Sequence, residues 1–510
     1  MNAPARIGAL ALGLCLLFEG SSQGAGFYIS DIGTRSMGRA GAFVAAPDSL
    51  LATHYNPAGL SLLKGFHTEA SVSLVGFNAS FDRTCPCTDP ATAQAAAFDT
   101  MLEASFAGQT AKTNTPIAIP FLGFGYGFDW MDTTVAISGY GPNSGRHKWG
   151  ELPPTRSPRY PSAAAMSPER YRAQDVNNLE GNINMSVAFS PWPGVRIGGS
   201  GIVYATGSKQ GLTLWTNYGS LPGGPEDTAF DVPIQFQLNT TWDFNWGVGG
   251  SWEIVKGLSL GTSFRAQRNI RGQGKIITQL PGFLIDADTG EPLLGAAITG
   301  DNAEIQLEVA PIWRAGLQYS LPGFFTAEAA LVYEGWSAHD QIIIRPQGVS
   351  IDLQGQTFEI PTLTIDRQWR DTWAVRLGGE FNRWNPWLGI RAGYFYETSS
   401  IPDDRVDVAR VDRPKHGVSL GLSTTFQGVT LEVSAMYVKL VSLTTRESKV
   451  KQTTTFDPST PDSPGNNEFV TTVGNGTIKG SYLIGSVSLS FAFDAMGGAQ
   501  GGTREATSTF

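Results

Sequence analysis

The side chains with the widest chemical range are scattered along this chain. Five histidines, His54, His67, His147, His339 and His416, stand far apart, and no serine elbow or metal-ligand cluster accompanies them. Catalysis by acid, base or nucleophile needs partner groups held close together, so this pattern assigns no catalytic residue, no metal site and no cofactor. Cys85 and Cys87, in TCPCT, are the nearest pair of reactive groups. Under oxidising conditions they favour a local disulfide, whereas a metal would need further ligands nearby and none is evident. Neither reading implies catalysis. Arg265, Arg314, Arg376 and Arg391 are the cations best suited to hold a carboxylate head group, and a structural charge network is the other use for each.

The elements that would position such groups follow from composition and periodicity. Charged residues make up only 16%, while 61 glycines and 11% aromatics indicate many short strands and turns rather than helices. A net charge of -9 without a basic block argues against nucleic acid as a partner. Arg6 precedes the apolar run from Ile7 to Phe18, and Ser22-Gln23-Gly24 supplies small residues at a cleavage site, so residues 1–24 are predicted to be a secretory signal and the mature chain to begin at Ala25. The apolar run is too short for a membrane-anchoring helix. Cys15 follows Leu14 rather than a small residue and is not a lipid-attachment site. After Gly24 no apolar run is long enough to span a bilayer as a helix, so an exported chain of this kind could enter a membrane only as a closed barrel.

Alternation over long segments points the same way. Between Ile234 and Ile254, Phe236, Leu238, Thr240, Trp242, Phe244, Trp246, Val248, Trp252 and Ile254 alternate with polar residues. That run far exceeds a soluble strand and suits a wall with lipid on one side and water on the other. Segments 416–426, 429–440 and 480–493 repeat the pattern. Short turns near residues 130–132, 191–194, 255–257, 320–323, 382–386 and 427–428 alternate with connections of about twenty residues or more, the plan of an outer-membrane barrel. The prediction is an all-β chain with a 14-stranded antiparallel transmembrane barrel over residues 66–493. A soluble sandwich would need a polar outer face, and the polar set here is too rich for a dry core. Asp243, Glu253, Arg265, Glu308, Arg314, Arg376, Glu380, Arg391 and Glu432 are assigned to the lumen.

Residues 25–65 match no strand. Their many glycines and alanines permit close backbone packing in a confined space, so this segment is predicted to fill the bore as a plug. Asp48 to Thr53 suggests a short helical turn with Asp at its start, ended by Asn56-Pro57. Residues 494–510 read as a flexible Gly-rich tail, and either Phe493 or Phe510 could serve as the assembly signal.

These features resemble the long-chain fatty acid outer-membrane transporter family (FadL/TodX type, with its aromatic-hydrocarbon relatives). The likeness is carried by AGF at Ala25, GTRSMGRAGAFVA, YNPAGL, VAPIWRAGLQYSL, ALVYEGWSAHDQI, WRDTWAVRLGGEF and GIRAGYFYETSSIPDDRV, in that order. Phe27, Asn56, Pro57 and Ala58 match the family's hatch positions. The resemblance implies capture of a hydrophobic compound by external loops, passage past the hatch, and lateral release beside a kinked third strand. It implies a Gram-negative outer membrane, contact with its lipid, delivery by the barrel assembly machinery, and a monomer. Gly139, Gly141 and Pro142 in the third strand would weaken pairing there, unless Pro142 merely ends the strand. Leu212, Leu214, Trp215, Tyr218 and Leu221, and a second stretch with Phe283 and Leu284, read as apolar external loops that bind cargo or pack on one another. Long-chain fatty acids are the leading cargo. Aromatic hydrocarbons, a general diffusion porin and a membrane-embedded hydrolase are the alternatives.

Overall fold

The computed structural model describes residues 31–87, 93–106, 110–141, 145–149, 168–215, 226, 230–280, 284–286, 288–385, 388–452, 471–494 and 498–499. The signal segment, Phe27, Pro142, Tyr218, Leu221, Phe283 and Phe510 lie outside the described residues.

Fourteen antiparallel strands close on themselves. They are β1 (Gly65–Arg83), β2 (Ala111–Gly127), β3 in two pieces (Thr134–Tyr140 and Gly145–Lys148), β4 (Asp175–Trp192), β5 (Val195–Trp215), β6 (Asp231–Val255) and β7 (Leu258–Arg265 and Arg268–Thr278). The second half comprises β8 (Asn302–Val309 and Ile312–Leu321), β9 (Phe325–Glu334 and Gln341–Pro346), β10 (Leu363–Asp366 and Thr372–Asn385), β11 (Leu388–Glu397), β12 (Lys415–Phe426), β13 (Val429–Leu440 and Leu443–Thr445) and β14 (Gly476–Asp494). Each pairs with the next, and β14 returns to β1 from Phe66 opposite Phe493 to Arg83 opposite Gly476, which leaves no free edge between first and last strand. Gln427 and Gly428 form the tightest turn. Both have positive φ, 49° and 78°, the conformation a two-residue hairpin needs to match strand twist.

Side-chain alternation sorts the wall as the sequence predicts near the short turns. Trp242, Phe244, Trp246 and Val248 of β6 point outward and are exposed, as are Val418, Leu420 and Leu422 of β12, while Asn245, Ser251, Ser419 and Ser423 point inward and are buried. Phe236 and Leu238 depart from the prediction. Between Thr206 and Ser208 of β5, β6 advances three residues, from Thr241 to Leu238, so a bulge reverses which face its side chains occupy. Leu238 and Ile234 are therefore buried, and Phe236 packs against the interior.

The inward face consequently has two tiers. Toward the short turns it is polar: Glu69, Ser71 and Ser73 on β1, Glu432 and Ser434 on β13, Ser486 and Ser488 on β14. Toward the long loops the same strands turn Val75, Phe77, Met436, Val438, Tyr482 and Ile484 inward. β5 also runs further than expected, so Leu212, Leu214 and Trp215 are buried strand residues and not loop residues. Alternation specifies a strand's two faces but not which environment each face meets at a given height.

Residues 31–64 lie within the polar tier. They include helix α1 (Thr34–Gly38), helix α2 (Ala52–Tyr55) and a 3-10 turn (Pro57–Leu62). Helix α2 begins later than expected and lacks an Asp cap, because Asp48 pairs with Arg35 at 3.1 Å instead. Glycines on the surrounding strands make room: a Cβ on Gly249 would sit 2.0 Å from Asn56 Oδ1, and one on Gly261 would sit 2.6 Å from the Ala45 backbone. A third helix, α3 (Ala93–Phe106), belongs to the connection between β1 and β2.

Because the Gly261 position faces backbone, no side-chain adjustment can accommodate a larger residue. Gly261→Val should leave a folded barrel, seen as an unchanged heat-modifiable gel shift, but should expose residues 31–64 to limited proteolysis.

Candidate functional site

The barrel's inward charges are arranged around the N-terminal segment. An irregular chain has backbone groups that no ladder satisfies, and the wall supplies partners. Glu328 accepts from the amides of Val44 (2.6 Å) and Ala45 (3.1 Å) and from Arg39 Nη2 (3.1 Å). Arg376 donates to Asp31 Oδ1 (2.7 Å), the carbonyl of Ala40 (3.0 Å) and Glu397 (3.3 Å). Ser251 and Ser263 hydroxyls donate to the carbonyls of Ala45 (2.7 Å) and Tyr55 (2.6 Å). Asn56 donates to the carbonyls of Val44 (2.8 Å) and Gly250 (3.1 Å) and accepts from the Ala58 amide (3.2 Å), so one amide ties the turn to the wall and to itself.

All four arginines singled out from the sequence point inward and are buried, but each faces this segment or its anchors. Arg265 donates to the carbonyl of His54 at 3.1 Å, Arg314 approaches His54 Nε2 at 3.4 Å, and Arg391 pairs with Glu380 (3.0 Å) and Glu432 (2.9 Å). The sequence signal for lumen-facing cations therefore finds mainly the supports of the N-terminal segment.

Above the segment lies a different site. Phe236, Leu238, Ile270, Ile305, Leu307, Ile342, Ile344 and Ile365 enclose an apolar cavity of about 80 Å³. Its polar rim carries Glu180, His339 and Arg410. His339 Nδ1 donates to the Glu308 carbonyl at 2.6 Å, and burial together with Arg367 pushes its pKa down to about 3, so the ring stays neutral. Arg172, Arg367 and Arg410 gather around one carboxylate, Asp407, which bonds Arg172 at 2.7 Å and the amides of Ala409 (2.8 Å) and Arg410 (3.2 Å). Burial and the neighbouring Arg410 pull Arg367 down to about 9, and burial pulls Arg410 down to about 10. Arg367 Nε is buried with no hydrogen-bond partner among the described residues. These cations sit in loops and strand interruptions, outside the alternating segments, which is why periodicity did not single them out. The sequence signal that could have done so is arginine density beside apolar runs, as in RVDVARVDR at 405–413.

Among the described residues, the ladders on either side of β3 are interrupted near this cavity. β2 pairs with β3 only from Phe121 to Gly127, and β4 pairs with the two pieces of β3 only up to Asn178 and again from Asn182. Residues 111–120 of β2 and 179–181 of β4 thus have no ladder partner on the β3 side among the described residues. Pro116 and Pro120 stand on that stretch of β2, in keeping with the confinement of proline to sheet edges, and are the sequence signal that marks it. Gly139 is paired within β3, Gly141 follows its end, and Asn178 and Glu180 line both the break and the cavity.

Over the top, the long loops are clasped together. Arg83 makes a two-pronged pair with Glu226, with one bond of 2.9 Å, and Glu226 also accepts from Thr471 at 2.6 Å. Arg170 donates to Asp231 at 2.9 Å. Cys85 and Cys87 form a disulfide beside this network, and the Pro86 carbonyl accepts from Asn475 at 2.5 Å. Leu214 and Trp215 are buried near these loops, Leu284 is buried, and Leu293 and Leu294 are exposed.

The fold has known counterparts. A family model described as outer membrane protein transport protein (OMPP1/FadL/TodX) matches residues 170–476. A FadL homologue of Pseudomonas aeruginosa is similar at 15% identity and a TM-score of 0.68, covering 92% of this chain and 100% of its own. The toluene transporter TodX of Pseudomonas putida is similar at 14% identity and a TM-score of 0.59, covering 91% and 99%. The Ralstonia pickettii toluene transporter TbuX gives 13%, 0.56, and 91% and 99%. No curated protein matches the chain in sequence.

The loop clasp yields a pH prediction. Burial alone would raise the Glu226 carboxyl, but Arg83, Thr471 and Arg170 overrule it and hold it at about 2. A carboxyl held below its unfolded value stabilises the fold fully above the ordinary value and loses that contribution as pH falls toward the depressed one. Amide exchange at residues 471–475 should therefore accelerate between pH 4.5 and about 2, and Glu226→Gln should abolish most of that dependence.

Proposed function

The chain belongs to the OMPP1/FadL/TodX family of outer membrane transport proteins, carriers of hydrophobic small molecules, and on that premise we propose that its cargo is a long-chain fatty acid. The observation that carries this reading is an apolar cavity lined in part by the buried Arg410, with the buried Arg367 close to Arg410. A guanidinium does not shed its proton under physiological conditions, so these buried charges favour an anion. A carboxylate held there would place its alkyl chain among Ile342, Ile344, Ile365 and Leu307. Each buried methylene contributes about 0.8 kcal/mol, so a long chain binds usefully even in a narrow groove.

Transport then takes three steps. External loops, with Phe283 and Leu284 among their residues, gather the compound and hand it to the apolar end of β5 at Leu214 and Trp215. It passes into the cavity above the hatch, residues 25–65, in which Phe27, Asn56, Pro57 and Ala58 hold the closed position. It leaves sideways into the bilayer through the wall beside Gly139, Gly141 and Pro142. Supporting lateral exit are residues 111–120 of β2, which have no ladder partner on the β3 side among the described residues, and Glu180 of β4, which lines the cavity. Arg265, Arg314, Arg376 and Arg391 act in this scheme through the hatch and not by direct contact with cargo.

Aromatic hydrocarbons are the second reading, favoured by the likeness to TodX and TbuX. A neutral ring has no use for the cationic rim, and this separates the two. Arg410→Ala should weaken oleate binding by roughly 10-fold or more while leaving toluene uptake within about 2-fold, since a charge-assisted hydrogen bond contributes on the order of 1.5–3 kcal/mol. Equal losses for oleate and toluene, or none for oleate, would overturn the fatty-acid reading.

A further inference from the structure

The outward face of the wall changes character toward the long loops. On β13 the exposed Tyr437 is followed by Lys439, the next outward position. On β14 the exposed Leu483 gives way to Ser481 and then Lys479, and on β2 Asn114 leads to Lys112. All three lysines are exposed. Strand pairing gathers them on one surface. Lys439 stands opposite Ser481, one outward position from Lys479, while Lys479 and Lys112 flank Ser80 of β1 from its two sides. Neighbouring strands lie about 4.8 Å apart, so the backbones of Lys479 and Lys112 are roughly 10 Å apart, and Lys439 is a diagonal neighbour of Lys479 at about 7–8 Å. His416 of β12 faces Lys439 on its other side, and its Nδ1 lies 2.8 Å from the Tyr394 hydroxyl. The exposed Tyr394 and Tyr437 mark the aromatic girdle, where lipid meets water. Lys439 therefore occupies the first level beyond it.

Like charges collected on one face repel unless something neutralises them. Elsewhere on the outward face the protein supplies the counter-charge: Arg271 and Arg345 bond Glu304 at 2.9 and 3.1 Å, and Lys275 bonds Asp301 at 2.5 Å. Lys112, Lys439 and Lys479 have no carboxylate partner among the described residues. Asp82, one outward position above Ser80, accepts from Thr110 at 2.5 Å instead. Between the lysines lie Asn78, Ser80 and Ser481, uncharged groups that both donate and accept. The neutralising anion must come from outside the chain, and the level of the girdle places it at the lipid head groups.

We propose that the outward face formed by β13, β14, β1 and β2 is a binding site for a phosphorylated glycolipid of the outer leaflet. Its phosphates meet Lys112, Lys439 and Lys479. Its sugar hydroxyls bond the amide and hydroxyl side chains between them, and its acyl chains lie on the apolar surface below, along Leu483, Tyr437 and Leu74. Three cations spread over four strands suit a head group with more than one phosphate better than a compact single one. The site is on the lipid side of the wall, so it depends on neither the identity of the cargo nor its route.

The experiment titrates the full-length protein, extracted in mild detergent, with bisphosphorylated lipid A and counts bound lipid by native mass spectrometry. The triple variant Lys112→Gln, Lys439→Gln, Lys479→Gln should bind about 30-fold more weakly or worse than the parent at low salt, since each lysine beside an anionic lipid surface contributes roughly fivefold. Raising the salt should narrow that gap, as screening of exposed charges requires. The three side chains are exposed, so the variant should keep the parent's heat-modifiable gel shift, which checks that the barrel is folded. Lys256→Gln removes an exposed lysine from a short turn at the opposite end and should bind as the parent does. Parental binding by the triple variant would overturn the site, as would equal binding of lipid A stripped of its phosphates. Displacement by inorganic phosphate at matching concentration would show a free-phosphate site and overturn the glycolipid. Equally tight binding of phosphatidylglycerol, with its single phosphate, would overturn it too.

Discussion

Everything in this molecule depends on one requirement: an irregular chain placed inside a membrane barrel must have its backbone polar groups satisfied by the wall. Residues 31–64 contain two very short helices and a 3-10 turn, too little regular structure to satisfy themselves. Glu328, Arg376, Ser251 and Ser263 supply the missing bonds from four different strands. Glycines such as Gly249 and Gly261 allow the two backbones to approach closely enough for those bonds to form. The charges that look like a binding site in one dimension are thus largely the mounting of the segment.

This requirement also divides the bore. Where the N-terminal segment lies, the inward face is polar, since each side chain there meets amides and carbonyls. Above it, inward positions have no backbone to satisfy and carry isoleucine, leucine and phenylalanine. In the proposed transport route, the cavity at the boundary between the two tiers holds the cargo, above a polar floor and beside Arg410. An amphiphile with one charge fits that border better than either tier alone.

The same border lies near the stretch of β2 that has no ladder partner on the β3 side among the described residues. A barrel strand can lose its ladder only where something else holds it, because unpaired groups in lipid cost several kcal/mol each. Prolines at 116 and 120 remove donors from β2 on the stretch that lacks a β3 partner, and α2 bonds Ser138 and Tyr140 just below it. The end of the first piece of β3 is therefore held by the N-terminal segment and by its ladder neighbours together.

The sequence by itself determined the barrel. Strict alternation, the long-short rhythm of connections and the absence of a membrane-length helix admit one membrane architecture, since only a closed sheet satisfies its own backbone in lipid. It also marked residues 25–65 as foreign to the strands, and Asn56-Pro57 as the place where their path turns. What it left undecided was which inward face meets polypeptide and which meets open space. Phe236 and Leu238 show why: a single extra residue in β6 reverses two faces, and alternation reads the same on either side of the bulge. Arg265 and Arg410 show it again, because an arginine that holds the N-terminal segment and one that lines a cavity are identical in sequence. Only the packing of distant strands around one segment decides the difference, and no local pattern records it.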